Sequence, residues 1–416
     1  MKRRCGFLLT AVALAGSIAG AQPPMSGAES NAWLDVQTQR TDGVIAVQPW
    51  AQLLGADRLG VGWVTDRPAD GTVEWTQDAI DDASAAWRQA WFSQDGLRQA
   101  NGLFQRAVIG GYDPAKPIRF RARSRPIQSF KPYQVTFGEA AVSQTRCLPA
   151  LARPGGAVSF VVFNDVHNRV QNYPLLLARA GTPIDFAVFN GDVVQDPQSE
   201  KEVADRLLLP MAWFASRSIP CFFLRGNHET RGAYARNLKD ALVLPENRYY
   251  AALTFGAVRV VFLDCGEDKD DAHKEYSGLI DFDAYIAEEA AWLKQEIAGD
   301  AFKKAAWRIA VIHIPPDWRT KDDALPRGEQ RVRERFAPLF DAGQVTAVIS
   351  GHNHKDELVE PCPDAGRGFQ WPVFIGGGPP LAEATVIRVD ADGQALKIAC
   401  IRSDGSVAAE KAWAAR

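Results

Sequence analysis

Five short apolar runs constrain this chain more than any other feature: Phe160–Phe163, Phe186–Phe189, Cys221–Leu224, Ile309–Ile312 and Ala347–Ile349. Uninterrupted runs of this length form strands buried on both faces. Helical stretches expected at Val170–Ala180 and Lys201–Ala215 separate the first three, so the order is strand, helix, strand, helix, strand. That order predicts an α/β fold around an open sheet. In such sheets the loops leaving the carboxyl ends of the strands converge on one edge, which is where ligands bind.

Each run is followed closely by polar chemistry. Asp165-Val166-His167, Gly191-Asp192, Gly226-Asn227-His228-Glu229, His313 and Gly351-His352-Asn353-His354 succeed the runs in turn and take up five of the six histidines. Only His273 stands apart, in the charged stretch from Glu267 to Lys274, where a solvated loop is expected. Any one motif alone is better read as a turn, because Gly, Asp and Asn suit tight bends. Five of them in succession, each after a buried strand, outweigh that reading. Carboxylates, imidazoles and one amide favour ions of intermediate hardness such as Zn, Mn or Fe. The candidate ligands are Asp165, His167, Asp192, Asn227, His313, His352 and His354. These are too many for one tetrahedral ion and suit two ions bridged by a carboxylate, for which Asp192 is the natural choice. Paired ions of this kind serve phosphate ester hydrolysis.

The ordered series D-x-H, G-D, G-N-H-E, H and G-H-x-H resembles the calcineurin-like metallophosphoesterase superfamily, from Asp165 to His354. The resemblance implies a four-layer αββα sandwich as the catalytic domain. It implies two divalent or mixed-valence ions, one held by Asp165, His167, Asp192 and His354 and the other by Asp192, Asn227, His313 and His352. His228 would then be free to steady the phosphoryl oxygens or protonate the leaving group while hydroxide held between the ions attacks phosphorus. Arg231 and Arg319 are candidate phosphate contacts, and the charged stretch Pro315–Gly328 is a candidate lid. Phosphomonoesters are the expected substrates. A phosphodiesterase acting on cyclic nucleotides or glycerophosphodiesters shares every ligand, and a catalytically silent metal-bound binding module is the alternative of another class. All seven ligand positions and His228 are present, which favours catalysis.

Two departures from relatives bear on the metals. Purple acid phosphatases carry a tyrosine ligand three residues after the bridging aspartate, where this chain has Gln195. An amide cannot become an anionic ligand, so no tyrosinate charge-transfer colour is expected. Protein serine/threonine phosphatases place an aspartate at that position to orient their histidine. Here Asp196, next door, is the candidate for that task.

The amino terminus, Met1-Lys2-Arg3-Arg4 followed by the apolar stretch Gly6–Gly20 and Ala19-Gly20-Ala21, reads as a secretory signal cleaved after Ala21. The stretch is short for a membrane span, so no anchor and a periplasmic or secreted location are expected. Removing residues 1–21 takes away three basic residues and no acid, lowering the formal net charge from −3 to −6. With no basic stripe, a small phosphorylated substrate is expected and nucleic acid is not. Five cysteines remain: Cys221 and Cys265 are expected as buried thiols, with a disulfide open among Cys147, Cys362 and Cys400.

The length predicts two domains. Short strands at Leu59–Val64, Thr72–Trp75, Phe104–Ile109, Ile118–Ala122 and Tyr133–Phe137 predict a small all-β sandwich over residues 22–146, weakly similar to a fibronectin type III fold. Residues 147–156 read as a linker and 157–416 as the catalytic domain. Trp33, Trp50, Trp63, Trp75, Trp87 and Trp91 are expected mainly to pack. Near the carboxyl end, Asp281–Ala298 is the clearest helix, and Val373–Ile375, Thr385–Val389 and Leu396–Ile401 are expected to complete a second sheet, with Gly376-Gly377-Gly378 a tight turn near the metals.

Overall fold

The computed structural model describes residues 25–78, 84–153, 156–316, 325–362 and 369–415. The expected signal sequence and Arg319 lie outside these residues. In chain order the elements that matter are α1 (Gly27–Gln37), β1 (Ile45–Leu53), β2 (Arg58–Thr65), β3 (Ala69–Thr76), β4 (Phe104–Gly110), β5 (Ile118–Lys131), β6 (Val158–Phe163), α2 (Asn172–Ala180), β7 (Phe186–Asn190), α3 (Leu209–Ala215), β8 (Cys221–Leu224), β9 (Ala251–Phe255), β10 (Val258–Leu263), α4 (Phe282–Ala298), β11 (Trp307–Ile312), α5 (Arg327–Arg335), β12 (Ala347–Ser350), β13 (Val373–Ile375), β14 (Thr385–Ala391), β15 (Ala395–Arg402) and β16 (Val407–Ala414).

Two sheets carry the catalytic half. The first has nine strands in the order β16-β15-β14-β6-β7-β8-β1-β2-β4, and the second has six, β9-β10-β11-β12-β13 followed by Glu357–Val359. β6, β7 and β8 run parallel, as do β10, β11, β12 and β13. Because side chains alternate across a strand, each apolar run supplies two cores. Phe160, Val162, Phe186, Val188 and Phe222 face Val260, Phe262, Ile309, Val311 and Ile349 across the gap between the sheets, with the Phe222 and Phe262 rings stacked at 3.8 Å. The opposite faces, Val161, Phe163, Ala187, Phe189 and Phe223, pack on Tyr173 and Leu176 of α2 and Met211 and Phe214 of α3. Val261, Leu263, Ala310 and Ile312 pack on Ile286 and Leu293 of α4 and Val332 of α5. The result is helices, sheet, sheet, helices, the four layers expected.

The amino-terminal strands differ from expectation. They do not form a sandwich closed on itself. β3 and β5 belong to a third sheet, but β1, β2 and β4 extend the first catalytic sheet, with β1 parallel to β8 at Gln52 and Cys221. One continuous apolar core runs from Trp63, Val73 and Phe120 to Phe160 and Phe262. β1 is hard to read because Gln48, Pro49 and Gln52 break its apolar pattern. Gln52 is buried yet satisfied: its Oε1 accepts from the Val243 N–H at 3.0 Å and from Trp50 Nε1 at 3.2 Å. The Trp50 ring lies against Gly62, where a Cβ would come within 2.3 Å of it. Trp50, Trp63 and Trp75 are buried, as expected of packing residues, whereas Trp91 is exposed.

One further expectation is corrected and one open point is settled. β14 and β15 join the first sheet beside β6, and only β13 joins the second. The five described cysteines are free thiols, with Cys400 buried in β15, so the disulfide left open by the sequence is not formed.

Candidate metal centre

All five motif loops meet at the carboxyl edge of the two sheets. The convergence needs contorted backbone: Asp165, His167, Asp192, His352 and His354 all have positive φ, between 42° and 71°. Such left-handed conformations are costly for residues with side chains and persist where the surroundings impose them. Two glycines allow the approach. A Cβ on Gly226 would lie 2.2 Å from Asp192 Oδ1, and one on Gly351 would lie 2.3 Å from Asp165 Oδ2.

Glu229, to which the sequence alone assigned no task, ties the loops together. Fully buried, its carboxylate accepts N–H bonds from Asp192 (2.9 Å), Val193, Val194 and Gly226 (2.7 Å each). Burial, with Asp192 nearby, raises its pKa to about 7 against the pull of those donors. Asp165 plays a similar part, accepting the His352 N–H at 2.9–3.0 Å. The signal for Glu229 was its place in Gly226-Asn227-His228-Glu229, but chain spacing does not reveal which backbone a side chain will reach.

The side chains form two groups that could each hold a metal ion: Asp165, His167, Asp192 and His354, and Asp192, His313 and His352. Asp192 is common to both. His167 Nε2 lies 3.1 Å from His354 Nε2 and 3.5 Å from Asp192 Oδ2. His354 Nε2 is 3.4 Å from Asp165 Oδ1. On the other side His313 Nε2 is 3.2 Å from Asp192 Oδ2, and Asn227 Oδ1 lies 3.1 Å from His352 Nδ1, adding an amide oxygen to the second group.

His313 tests whether an ion fits. Its Nδ1 donates to the Asn190 carbonyl at 2.9 Å, and the buried Nε2, facing two carboxylates, has no hydrogen-bond partner among the described residues. A lone pair aimed at carboxylates is repulsive unless a cation lies between them. Without one the imidazole must charge itself: burial opposes protonation, but Asp192 and Asp165 push its pKa up to about 10. His167, by contrast, is held neutral by burial, at about 4 despite the same two aspartates. Burial also works against the Asp192 carboxylate, yet His313, His228 and His167 keep its pKa well below the usual range. An N/O donor set of this kind fits divalent Zn, Mn or Fe.

His228 sits at the edge of the cluster, its ring centroid 4.8 Å from that of His167. Its backbone N–H donates to Asp192 Oδ1 at 3.0 Å, and its Nδ1 is 2.9 Å from Asp196 Oδ1. Burial lowers the pKa of the ring, but the Asp196 hydrogen bond and the Asp192 charge raise it above the ordinary value. Arg231 Nη1 lies 3.3 Å from His228 Nε2, while the rest of that guanidinium is engaged with Glu267 at 2.7–2.8 Å and Asp268 at 3.0 Å. His273 contacts Glu275 and Tyr276 instead. Gly378 lies close beneath His354, where a Cβ would sit 2.9 Å from that of the histidine. An acid outside the motifs, Glu329, reaches His352 Nε2 at 3.2 Å.

Residues 158–356 match the family model of the calcineurin-like phosphoesterases. This segment belongs to that family. The chain is accordingly a phosphoester hydrolase. No curated protein sequence matches it. Among solved structures, the chain is similar to a purple acid phosphatase, PPD1, from yellow lupin (Lupinus luteus) seeds, at 14% identity and a TM-score of 0.65 over 88% of this chain and 73% of that one. It is also similar to PhoD, at 12% identity and a TM-score of 0.61 over 90% of this chain and 91% of that one. At these identities the likeness is one of fold, and its coverage extends well beyond the family segment. No helix among the described residues is long and apolar enough to cross a membrane.

Proposed function

We propose that the chain is an exported, dinuclear metal-dependent phosphatase acting on small phosphomonoesters. The observation that carries this reading is the sharing of Asp192 by two ligand groups. Asp165, His167, Asp192 and His354 would hold one ion, and Asp192, Asn227, His313 and His352 the other. Bound there, the ions supply Lewis acidity toward phosphoryl oxygens and nucleophilic water near neutral pH.

The chain's own residues do the rest. Asp192, fixed by Glu229 through its backbone N–H, keeps the two positions in register. His228 gives the proton on Nε2 to the leaving alkoxide oxygen, and Asp196 holds the ring so that this nitrogen, and not Nδ1, faces the site. Arg231 adds positive potential beside that nitrogen. Arg319, outside the described residues, is a second candidate contact. Residues 1–21 serve as a cleaved export signal in this reading, which places the enzyme in the periplasm or outside the cell, and residues 22–146 and 157–416 are the two regions joined at 147–156.

The test compares turnover of p-nitrophenyl phosphate and bis-p-nitrophenyl phosphate by mature protein loaded with Mn or Zn. The account expects the monoester to be preferred in kcat/KM. A reversed preference makes the enzyme a diesterase, and two bound ions without turnover of either ester make the chain a silent binding module.

A further inference from the structure

Among the described residues, Glu329 is a carboxylate outside the sequence motifs that reaches a candidate ligand. Its side chain is 10% exposed. Oε1 lies 3.2 Å from His352 Nε2, and Oε2 is buried with no hydrogen-bond partner among the described residues. An ionised carboxylate only accepts, so in the neutral ring His352 Nε2 carries the proton and Nδ1 carries the lone pair. That lone pair faces Asn227 Oδ1 at 3.1 Å. Two acceptors at this separation repel unless a cation lies between them. Glu329 therefore selects the tautomer in which His352 offers a donor nitrogen to the ion.

The carboxylate is held in place by more than its own contacts. Arg331, two residues along α5 and 1% exposed, binds Asp283 Oδ1 at 2.8 Å, the Glu267 carbonyl at 3.2 Å and Asp271 Oδ1 at 3.3 Å. The Gly328 N–H donates to the Asp268 carbonyl at 2.7 Å, and a Cβ at Gly328 would come within 2.5 Å of Asp268 Cα. The start of α5 is thus pinned to the same 267–271 loop that grips Arg231 through Glu267.

We propose that Glu329 is a positioning residue for His352, specific to the metal position formed by Asp192, Asn227, His313 and His352. The proposal rests on the dinuclear reading above. A carboxylate behind a ligating imidazole fixes ring orientation and raises donor strength, and removing such a partner typically weakens metal binding by about 10–100-fold. Because His352 belongs to one ligand group only, the loss should be confined to one ion.

The test is titration of chelator-treated protein with Zn²⁺ by calorimetry, for wild type, Glu329→Gln, Glu329→Ala, His352→Ala and the His352→Ala/Glu329→Gln double variant. Wild type should bind two ions. Glu329→Gln, which retains a neutral acceptor, should weaken one binding event by about tenfold and Glu329→Ala by up to about 100-fold, with the other event unchanged and serving as the control for folding. The double variant should match His352→Ala, since a positioning residue has nothing left to position. If wild type binds a single ion, the dinuclear reading fails. If it binds two and Glu329→Gln leaves both affinities within about twofold, or weakens both alike, this inference alone is overturned.

Discussion

Replacing Glu229 should damage the metal centre without touching any candidate ligand. Its two oxygens accept four backbone N–H bonds, from Asp192, Val193, Val194 and Gly226. In Glu229→Gln one oxygen survives and can still serve two of these donors, but the new NH₂ group is turned toward the other two. Each buried N–H left without an acceptor costs about 1–3 kcal/mol, so the variant should lose about 2–6 kcal/mol. Glu229→Ala abandons all four, about 4–12 kcal/mol, which rivals the 5–15 kcal/mol that typically separates folded from unfolded protein. Urea denaturation of chelator-treated protein reads the loss directly, and Zn titration reads its consequence, because freeing the 191–194 loop lets Asp192 move. Glu229→Gln should therefore be less stable and bind both ions more weakly. A stability change within about 0.5 kcal/mol, the range usual for surface substitutions, with unaltered metal binding, would refute the assignment of Glu229 as the tie between loops.

Four further outcomes are expected. Asp192→Asn should reduce the metal content below two ions per chain and lower kcat by at least about 100-fold; unchanged loading and rate would end the bridging role. Asp196→Asn should lower kcat more for phenyl phosphate than for p-nitrophenyl phosphate, since a poorer leaving group needs the His228 proton more, and an equal effect on both substrates would argue against a general acid. The iron-loaded protein should lack a tyrosinate charge-transfer band, because Gln195 stands where a tyrosine ligand would be needed; a purple preparation would contradict this. A fragment of residues 157–416 should not fold, because removing β1 uncovers β8 and divides the shared core, and a soluble, active fragment would show two independent domains instead.

The parts of this molecule legible in its sequence are those fixed by local pattern. β6, β7, β8, β11 and β12 each carry an uninterrupted apolar run that is buried on both faces, and helix α4 starts one residue from its expected position. The ligand candidates were legible because each follows such a strand, where parallel topology brings loops together. What was hidden depends on partners distant in sequence. β1 carries Pro49 and two glutamines and reads poorly as a strand, yet Gln52 finds its acceptor role 191 residues away at Val243. β14 and β15 show their strand character clearly, but nothing in them says which of two sheets will take them. Glu229 lies inside a legible motif and Glu329 outside all of them, yet spacing names the partner of neither, since one serves backbone amides and the other the far side of an imidazole.

Anomalous diffraction from crystals of the Zn- or Mn-loaded protein would locate a pair of ions sharing Asp192. Two peaks are expected about 3.5–4 Å apart on either side of the Asp192 carboxylate, one beside His167 and His354 and the other beside His313 and His352. A single peak, or two that do not both touch Asp192, would contradict the shared site.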